Sequence, residues 1–237
     1  MKILAIDTAT EACSAALYID DELPSENITS RYRLAPREHS RLILKMIDDL
    51  LAEVKLSISS IDAIAFGQGP GSFMGLRIAA GVVQGIAFAH DIPVIPISTL
   101  KAIAQRAYEK TGDTNVLATI DARMDEVYWA AYSLKGERWQ LHDEEHVISP
   151  DKISVPVLED GATWLAAGNG WVNYKDRLLT SANCQLPTIL PDCFPSAEAI
   201  AKLAVAELNA GNTVSAAEAI PVYLRNNVAK KPKPVRL

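Results

Sequence analysis

The sequence predicts an α/β protein with two related lobes. An apolar run, Ile3–Ile6, ends at Asp7, turns, and is followed by a second apolar run. The same plan recurs at Val116–Asp121, and a tyrosine stands eleven residues after each aspartate, at Tyr18 and Tyr132. A repeat at this separation indicates two halves of one plan rather than a solenoid. The alternative is a chance resemblance between two apolar hairpins.

Composition limits the classes of function. The chain has 237 residues, of which 49% are hydrophobic and 22% charged, as in ordinary folded soluble proteins. A net charge of −6 argues against a protein that grips nucleic acid over its whole surface. Three cysteines without a Cys-x-x-Cys pair favour a reducing compartment, and the N-terminus lacks the pattern of a signal peptide. We therefore expect a cytoplasmic protein that does not enter a membrane.

A glycine-rich stretch, Gly67–Arg77, lies between an apolar run and an uncharged run. The pattern predicts a strand over Ile61–Phe66, a tight turn, and a helix with Ser72 as its N-cap. A helix N-terminus attracts anions, so the turn either binds phosphate or is purely structural. It is not a P-loop, because no Gly-Lys-Ser/Thr sequence closes it.

Two helices flank this turn. Leu34–Val54 carries an apolar stripe at helical spacing, with charged residues on the other face. The run Ile78–Ala89 has no charge and belongs to a helix with small residues at Gly75, Gly81 and Gly85. Such a helix is either buried in the core or packed against another chain.

The second half is less regular. Ser98 and Ser196 are predicted to cap the helices that follow them, and a strand ending at Ala167 leads into a second glycine turn. The stretch Thr180–Pro195 is predicted to be a loop. The basic tail, Lys230–Leu237, is either solvated or in contact with RNA phosphates.

No recognisable reaction follows from the residues alone. No His, Cys, Asp or Glu residues recur at metal-ligand spacing, and no nucleophile elbow is present. Asp7, Glu11 and Asp121 stand in predicted turns. They could face one another across a cleft between the lobes as a nucleotide–metal site, or they could simply cap their turns.

Four segments together resemble the TsaB (YeaZ) family of bacterial tRNA threonylcarbamoyladenosine biosynthesis proteins. They are Ile6–Thr10, Gly67–Arg77, Ile120–Tyr128 and Pro221–Arg225. The resemblance implies an α/β protein with the actin-like ATPase, sugar kinase and Hsp70 (ribonuclease H-like) fold, in two lobes of duplicated topology. Its expected lobes are residues 1–104, with 212–237 packing back on them, and residues 105–211.

The resemblance also implies a role in threonylcarbamoylation of adenosine 37 (t6A) in tRNAs that read codons beginning with A. The catalytic paralogue of that pathway, TsaD, has a His-x-x-x-His metal motif whose positions fall on Thr99 and Ile103 of this chain. We therefore expect no catalytic residue and no metal here. The expected role is a scaffold that pairs with a TsaD-like paralogue and a TsaE-like ATPase, and meets tRNA through the complex.

Two groups of site residues follow from these expectations. A face for the paralogue, which could also form a homodimer when the paralogue is absent, is predicted at Leu42, Met46, Leu50, Gly75, Ile78, Gly81, Val82 and Gly85. Weak nucleotide contacts are predicted at Asp7, Thr8, Thr10, Gly69, Gly71 and Ser72. No cofactor is expected to bind tightly, although ATP or ADP could bind at an interface shared with a partner. The alternative function is a nucleotide-dependent phosphotransferase of the same fold.

Overall fold

The structure, a computed structural model, describes residues 1–20, 27–159, 161–184 and 186–225. In the first lobe, β1 (Lys2–Asp7) is the central strand of a five-stranded sheet. On one side it pairs antiparallel with β2 (Ala12–Ile19), which pairs with β3 (Asn27–Leu34). On the other side lie β4 (Ala63–Gly69) and β5 (Val94–Ser98), both parallel to β1. The sheet order is therefore β3-β2-β1-β4-β5.

The second lobe repeats this arrangement. Its strands are β6 (Asn115–Arg123), β7 (Glu126–Lys135), β8 (Arg138–Leu141), β9 (His146–Ile148), β10 (Leu165–Ala167) and β11 (Thr188–Leu190). The order β11-β10-β6-β7-β8 places β6 at the centre, with an antiparallel hairpin on one side and parallel strands on the other. Strand β9 pairs with the remaining part of β7.

The two tyrosines noted in the sequence lie in the corresponding second strands of the two hairpins. Tyr18 pairs with Ile3 in the first lobe, and Tyr132 pairs with Val116 in the second. The predicted repeat is thus a real duplication of strand order and direction, although the registers of the two hairpins differ by one residue. This is the expected two-lobed topology of the actin-like class.

Five helices complete the described fold: α1 (His39–Glu53), α2 (Phe73–His90), α3 (Thr99–Thr111), α4 (Gly170–Ala182) and α5 (Ala197–Asn209). Helices α1 and α2 bury their apolar faces against the outer face of the first sheet. Helix α4 does the same on the second sheet. Helices α3 and α5 lie between the sheets, and a continuous apolar core joins the lobes there.

The predicted serine caps are present. The side chains of Ser72, Ser98 and Ser196 accept hydrogen bonds from the backbone N–H groups of Gly75, Lys101 and Ala199. Each bond satisfies a donor that the first helical turn leaves unpaired. These caps fix where α2, α3 and α5 begin.

Two sequence predictions were wrong in detail. The helix predicted from Leu34 begins at His39, because Leu34 pairs with Ala12 as the last residue of β3. The stretch predicted as a loop from Thr180 contains the end of α4 and all of β11. In both cases the pairing partner is far away in the sequence, so local pattern could not supply it.

The division into 1–104 and 105–211 stays a prediction, but the contacts around it are clear. Helix α5 falls in the second range and packs against the first sheet. Residues after α5 also return to the first lobe: Val214 bridges with Val94, and the Val222 N–H donates to the Gln68 carbonyl at 2.8 Å. The basic tail Lys230–Leu237 lies outside the described residues.

Helix α2 is long and apolar enough to cross a membrane by length and composition, and a third of it is buried. Ala79, Val83 and Ala87 pack into the core under the first sheet. An apolar stripe on the side that faces a core is typical of a helix that belongs to a folded domain.

Candidate functional site

A cleft of about 670 Å³ opens between the lobes, where β1 and β6 end. The turn after β1 contributes Thr10 and Glu11, and the start of α2 contributes Ser72. The second lobe contributes the β6–β7 turn and Asn169. Such crevices at the carboxyl ends of strands are where open α/β sheets bind their ligands.

The glycine turn is packed closely against the turn after β1. A Cβ atom on Gly71 would stand 2.5 Å from the Ala9 carbonyl oxygen, and one on Gly75 would stand 2.0 Å from the Thr8 carbonyl oxygen. The Ser72 N–H donates to the Ala9 carbonyl at 2.7 Å, and the Thr8 hydroxyl donates to the Gly75 carbonyl at 2.6 Å. Close backbone approach therefore accounts for these glycines without a ligand.

Asp7 lies beneath this turn and is fully buried. Its Oδ1 accepts a hydrogen bond from the Ala9 N–H at 3.3 Å, and its Oδ2 has no hydrogen-bond partner in the part of the chain that the structure describes. Burial raises the pKa of the carboxyl to about 7, against the smaller lowering effect of the Ala9 hydrogen bond. Asp7 does not line the cleft, so in this arrangement it cannot meet a ligand there.

The six predicted nucleotide contacts therefore divide into two sets. Thr10, Gly71 and Ser72 line the cleft. Asp7, Thr8 and Gly69 are buried below its surface. Gly69 has φ +125°, and a Cβ there would meet the Val222 carbonyl oxygen at 2.5 Å, so its role is to let the C-terminal segment approach.

A polar network joins the two lobes along the cleft. Asn169 donates from Nδ2 to Glu11 at 3.1 Å, and its Oδ1 accepts from the Asp121 N–H at 2.9 Å. Arg123 lies 3.1 Å from the Asp121 carboxylate and 3.8 Å from that of Glu11. Of the three acids considered in the sequence, Glu11 and Asp121 thus line the cleft and Asp7 does not.

Several cleft residues were not found by sequence reasoning. Phe73, Arg37, Met124, Tyr223 and Arg225 all line the cleft, although they come from four distant parts of the chain. His39 also lines the cleft and is buried at the start of α1; its Nε2 has no hydrogen-bond partner among the described residues. A signal existed for four of the other five residues, which belong to the segments Gly67–Arg77, Ile120–Tyr128 and Pro221–Arg225; Arg37 alone had none.

The second candidate surface is the outward face of α2. Phe88 and Met74 are 85% and 63% exposed, which is unusual for side chains of this size and polarity. Between them, Gly81 and Gly85 face open space: no described atom outside their own stretch of helix lies within 4 Å of an added Cβ. Ile78 and Val82 are half-buried along the same face.

The predicted partner residues are not all on this face. Leu50 is fully buried under the first sheet, and Gly75 is covered by the Thr8 carbonyl. Neither residue is accessible to a partner. Leu50 belongs to the apolar stripe with which α1 packs on the first sheet, and Gly75 packs on the turn after β1. Leu42 and Met46 are half-buried at the edge of that core. The accessible part of the predicted face is therefore Ile78, Gly81, Val82 and Gly85 on α2, with the half-buried Leu42 and Met46 on α1.

The positions equivalent to the paralogue's metal motif lie in α3. Thr99 and Ile103 are buried in the core between the lobes, and no described residue forms a hydrogen bond with the Thr99 hydroxyl. Among the residues that the structure describes, no group of three or more His, Cys, Asp or Glu side chains is placed to hold a metal ion.

The duplicated lobes and the cleft between them place the chain among proteins of the actin-like class. The family model described as "TsaD: tRNA N6-adenosine threonylcarbamoyltransferase" matches residues 25–233. Within the actin-like class, the chain belongs to the TsaB (YeaZ) family. It is 42% identical to the "tRNA threonylcarbamoyladenosine biosynthesis protein TsaB" of Escherichia coli, covering 99% of both chains. Identity to the TsaB of Haemophilus influenzae is 40%, over all of this chain and 98% of the relative.

A solved structure, "YeaZ from Pseudomonas aeruginosa", is similar over 94% of this chain and 99% of its own. Its sequence identity to this chain is 44% and its TM-score is 0.85. The arrangement of lobes described above is thus also that of a solved family member.

Proposed function

We propose that this chain is a non-catalytic scaffold subunit required for threonylcarbamoylation of adenosine 37 in tRNAs that read codons beginning with A. The observation that carries the proposal is the exposed apolar face of α2 in a chain of the TsaB family. The role named for the TsaB relatives supports the pathway, and the exposed face supports a role through association. The partners are a TsaD-like paralogue and a TsaE-like ATPase. The complex acts in the cytoplasm, and this chain meets tRNA only as part of that complex.

The face has the features that close packing of helices needs. Gly81 and Gly85 leave room for the backbone of another helix, while Ile78, Val82 and Phe88 supply apolar area around them. Glycine in a helix interior costs about 1 kcal/mol relative to alanine, so close contact with a partner gives these residues a purpose. The same face explains a homodimer in the absence of the paralogue, because one self-complementary patch can serve both.

We expect this chain to bind nucleotide only together with a partner. ATP or ADP would bind at an interface shared with the paralogue, with Thr10, Gly71 and Ser72 as this chain's contribution, since these residues line the cleft. The buried position of Asp7 disfavours the alternative of an independent phosphotransferase. Such an enzyme needs a carboxylate that reaches the metal or the attacking group. Steady-state ATP turnover by the isolated chain with magnesium would revive that alternative.

The deciding experiment is tRNA threonylcarbamoylation in a reconstituted mixture, with and without this chain. The mixture contains the paralogue, the ATPase subunit and threonylcarbamoyl-adenylate. We expect activity to require the chain, although the chain alone neither modifies tRNA nor hydrolyses ATP. Equal activity without the chain would refute the proposal.

The face itself is tested by Val82→Glu, with Val172→Glu as its matched control. Val172 is an exposed valine on α4, in the other lobe. We expect Val82→Glu to weaken binding of the paralogue at least tenfold and to lower the rate in parallel, while Val172→Glu changes neither. Gly81→Glu is a second face variant with open space around it, so its fold is preserved. Retained assembly in both face variants would refute the assignment of α2 as the interface.

A further inference from the structure

The motif Pro221–Arg225 has no part in the proposal so far, yet it is among the most extensively bonded segments at the cleft. The chain enters it from Ala219, whose carbonyl accepts a hydrogen bond from Gln84 of α2 at 3.2 Å. The Val222 N–H then donates to the carbonyl of Gln68, in the glycine turn, at 2.8 Å. The beginning of the motif is thus attached to the first lobe at two points.

Tyr223 continues the attachment along α2. Its ring lies 5.5 Å from that of Phe73, centroid to centroid, and its hydroxyl accepts a hydrogen bond from Arg77 Nε at 3.2 Å. The Arg77 guanidinium lies over the Phe73 ring, with its Cζ 3.9 Å from the ring centroid. Three side chains are therefore stacked at the N-terminal end of the exposed face of α2.

Arg225 crosses to the second lobe. Its Nη1 donates to the Ala122 carbonyl at 2.9 Å and its Nη2 to the Arg123 carbonyl at 3.2 Å. It also forms an ion pair with Glu126, and its side chain is only 15% exposed. A planar guanidinium can hold two carbonyls and a carboxylate at once, which a lysine cannot do.

The turn that Arg225 holds has an unusual backbone. Arg123, Met124 and Asp125 have φ values of +61°, +56° and +64°, three left-handed residues in succession without a glycine. Such conformations persist only where the surroundings impose them, and they concentrate at functional sites. Because Ala122, Arg123 and Met124 line the cleft, the shape of this turn sets one wall of it.

We propose that residues 219–225 form a clasp that ties the two lobes together at the mouth of the cleft and fixes its opening. The lobes share their apolar core at α3 and α5, and the clasp joins them on the cleft side. Tyr223 stands at the end of the α2 face, so a chain that docks on this face stabilises the clasp and, with it, the closed cleft. The clasp is a property of the isolated chain; only its coupling to a docking chain rests on the proposed function.

The test is hydrogen–deuterium exchange on the full-length chain. The Val222 amide reports the first-lobe end of the clasp, and the Arg123 amide reports the turn, where it donates to Asp121 Oδ1 at 2.8 Å. In Arg225→Gln we expect both amides to exchange at least tenfold faster, with the central strands β1 and β6 unchanged. Arg33→Gln, an exposed arginine on β3, is the matched control and should leave both amides as in the wild type.

Arg225→Lys keeps the positive charge of the side chain but removes the planar guanidinium, so it separates the effect of charge from that of hydrogen-bond geometry. We expect it to resemble Arg225→Gln, because one ammonium cannot replace the two carbonyl contacts. If Arg225→Gln does not fold, Tyr223→Phe takes its place, since it keeps the ring and loses only the hydroxyl that binds Arg77. Exchange within twofold of wild type at both amides in the variants that fold would overturn the clasp.

A second arm adds the TsaD-like paralogue to the wild-type chain. We expect the Val222 and Arg123 amides to exchange at least fivefold more slowly in the complex. Binding without this protection would overturn the coupling. No binding at all would count against the proposed function, while the isolated-chain arm would still decide the clasp.

Discussion

Gly67 lies directly over the carboxylate of Asp7: a Cβ atom at position 67 would stand 2.2 Å from Asp7 Oδ2. The glycine turn therefore seals the acid that ends β1, rather than presenting it to the cleft. Burial of a carboxyl group with an unpaired oxygen favours the protonated form over the charged one, which raises its pKa to about 7.

Replacing Asp7 by asparagine should stabilise the protein at neutral and alkaline pH. The carboxyl loses its proton near pH 4 when unfolded and near pH 7 when folded. Between these values the folded state holds the extra proton, so stability falls as pH rises from about 4 to about 7, and the loss is complete above that. The shift from 3.8 to about 7 corresponds to about 4 kcal/mol as an upper bound.

Urea unfolding of the wild type and Asp7→Asn at pH 5 and pH 8 measures this effect. The stability gained by the substitution should be larger at pH 8 by about 2 to 3 kcal/mol. The same gain at both pH values would show that Asp7 is not protonated in the folded protein.

Replacement by alanine should have opposite effects on stability at two glycines of α2. In Gly75→Ala the new methyl group would meet the Thr8 carbonyl oxygen at 2.0 Å, so backbone must move, and we expect a loss of about 2 kcal/mol or more. Gly81→Ala enters open space and should be neutral or stabilise the isolated chain by up to about 1 kcal/mol. Denaturant midpoints of the two variants make the comparison, and equal destabilisation would contradict the packing described here.

Phe88→Ser should change association and not stability. The side chain is 85% exposed, so its removal should alter the free energy of unfolding by no more than about 0.5 kcal/mol. Sedimentation over a range of concentrations should show weaker self-association. Val157→Ser, on an exposed loop of the other lobe, serves as the control and should leave association unchanged. Identical association of all three proteins would argue against a role for the outer end of α2.

Asn169→Asp should loosen the contact between the lobes. The substitution keeps an acceptor for the Asp121 N–H but places a carboxylate where Nδ2 now donates to Glu11 at 3.1 Å. We expect a cost of about 1 to 3 kcal/mol, from the lost hydrogen bond and the repulsion. The repulsive part should shrink between 0.05 and 0.5 M salt, which thermal unfolding at the two concentrations can measure. Asn169→Ala introduces no charge, so the cost of this substitution should not depend on salt in the same way.

Much of the fold could be predicted because its signals are local. The two hairpins are marked by apolar runs that each end in an aspartate, with Tyr18 and Tyr132 eleven residues further on. The serine caps are marked by hydroxyls three residues before the N–H groups they satisfy. Strand β3 and helix α4 were missed. Residues 27–34 alternate too weakly to indicate a strand, and they become one only by pairing with β2.

The predicted partner residues also divide into those that local pattern placed correctly and those that it could not place. Gly81 and Val82 were predicted from small and apolar residues in an uncharged helix, and both lie on its accessible face. Leu50 and Gly75 share that local pattern but are buried, since helical periodicity reveals an apolar stripe without revealing which side of it the protein covers.

What the sequence determined by itself was the family, the duplicated plan, and the serine-capped starts of α2, α3 and α5, all of which depend on residue types at fixed spacing. The tertiary structure alone decided that Asp7 is sealed beneath Gly67, and that Arg225 reaches the β6–β7 turn about a hundred residues earlier in the chain. Burial and long-range hydrogen bonds depend on which segments meet in space. Spacing along the chain carries no information about such meetings until the sheets and helices are assembled.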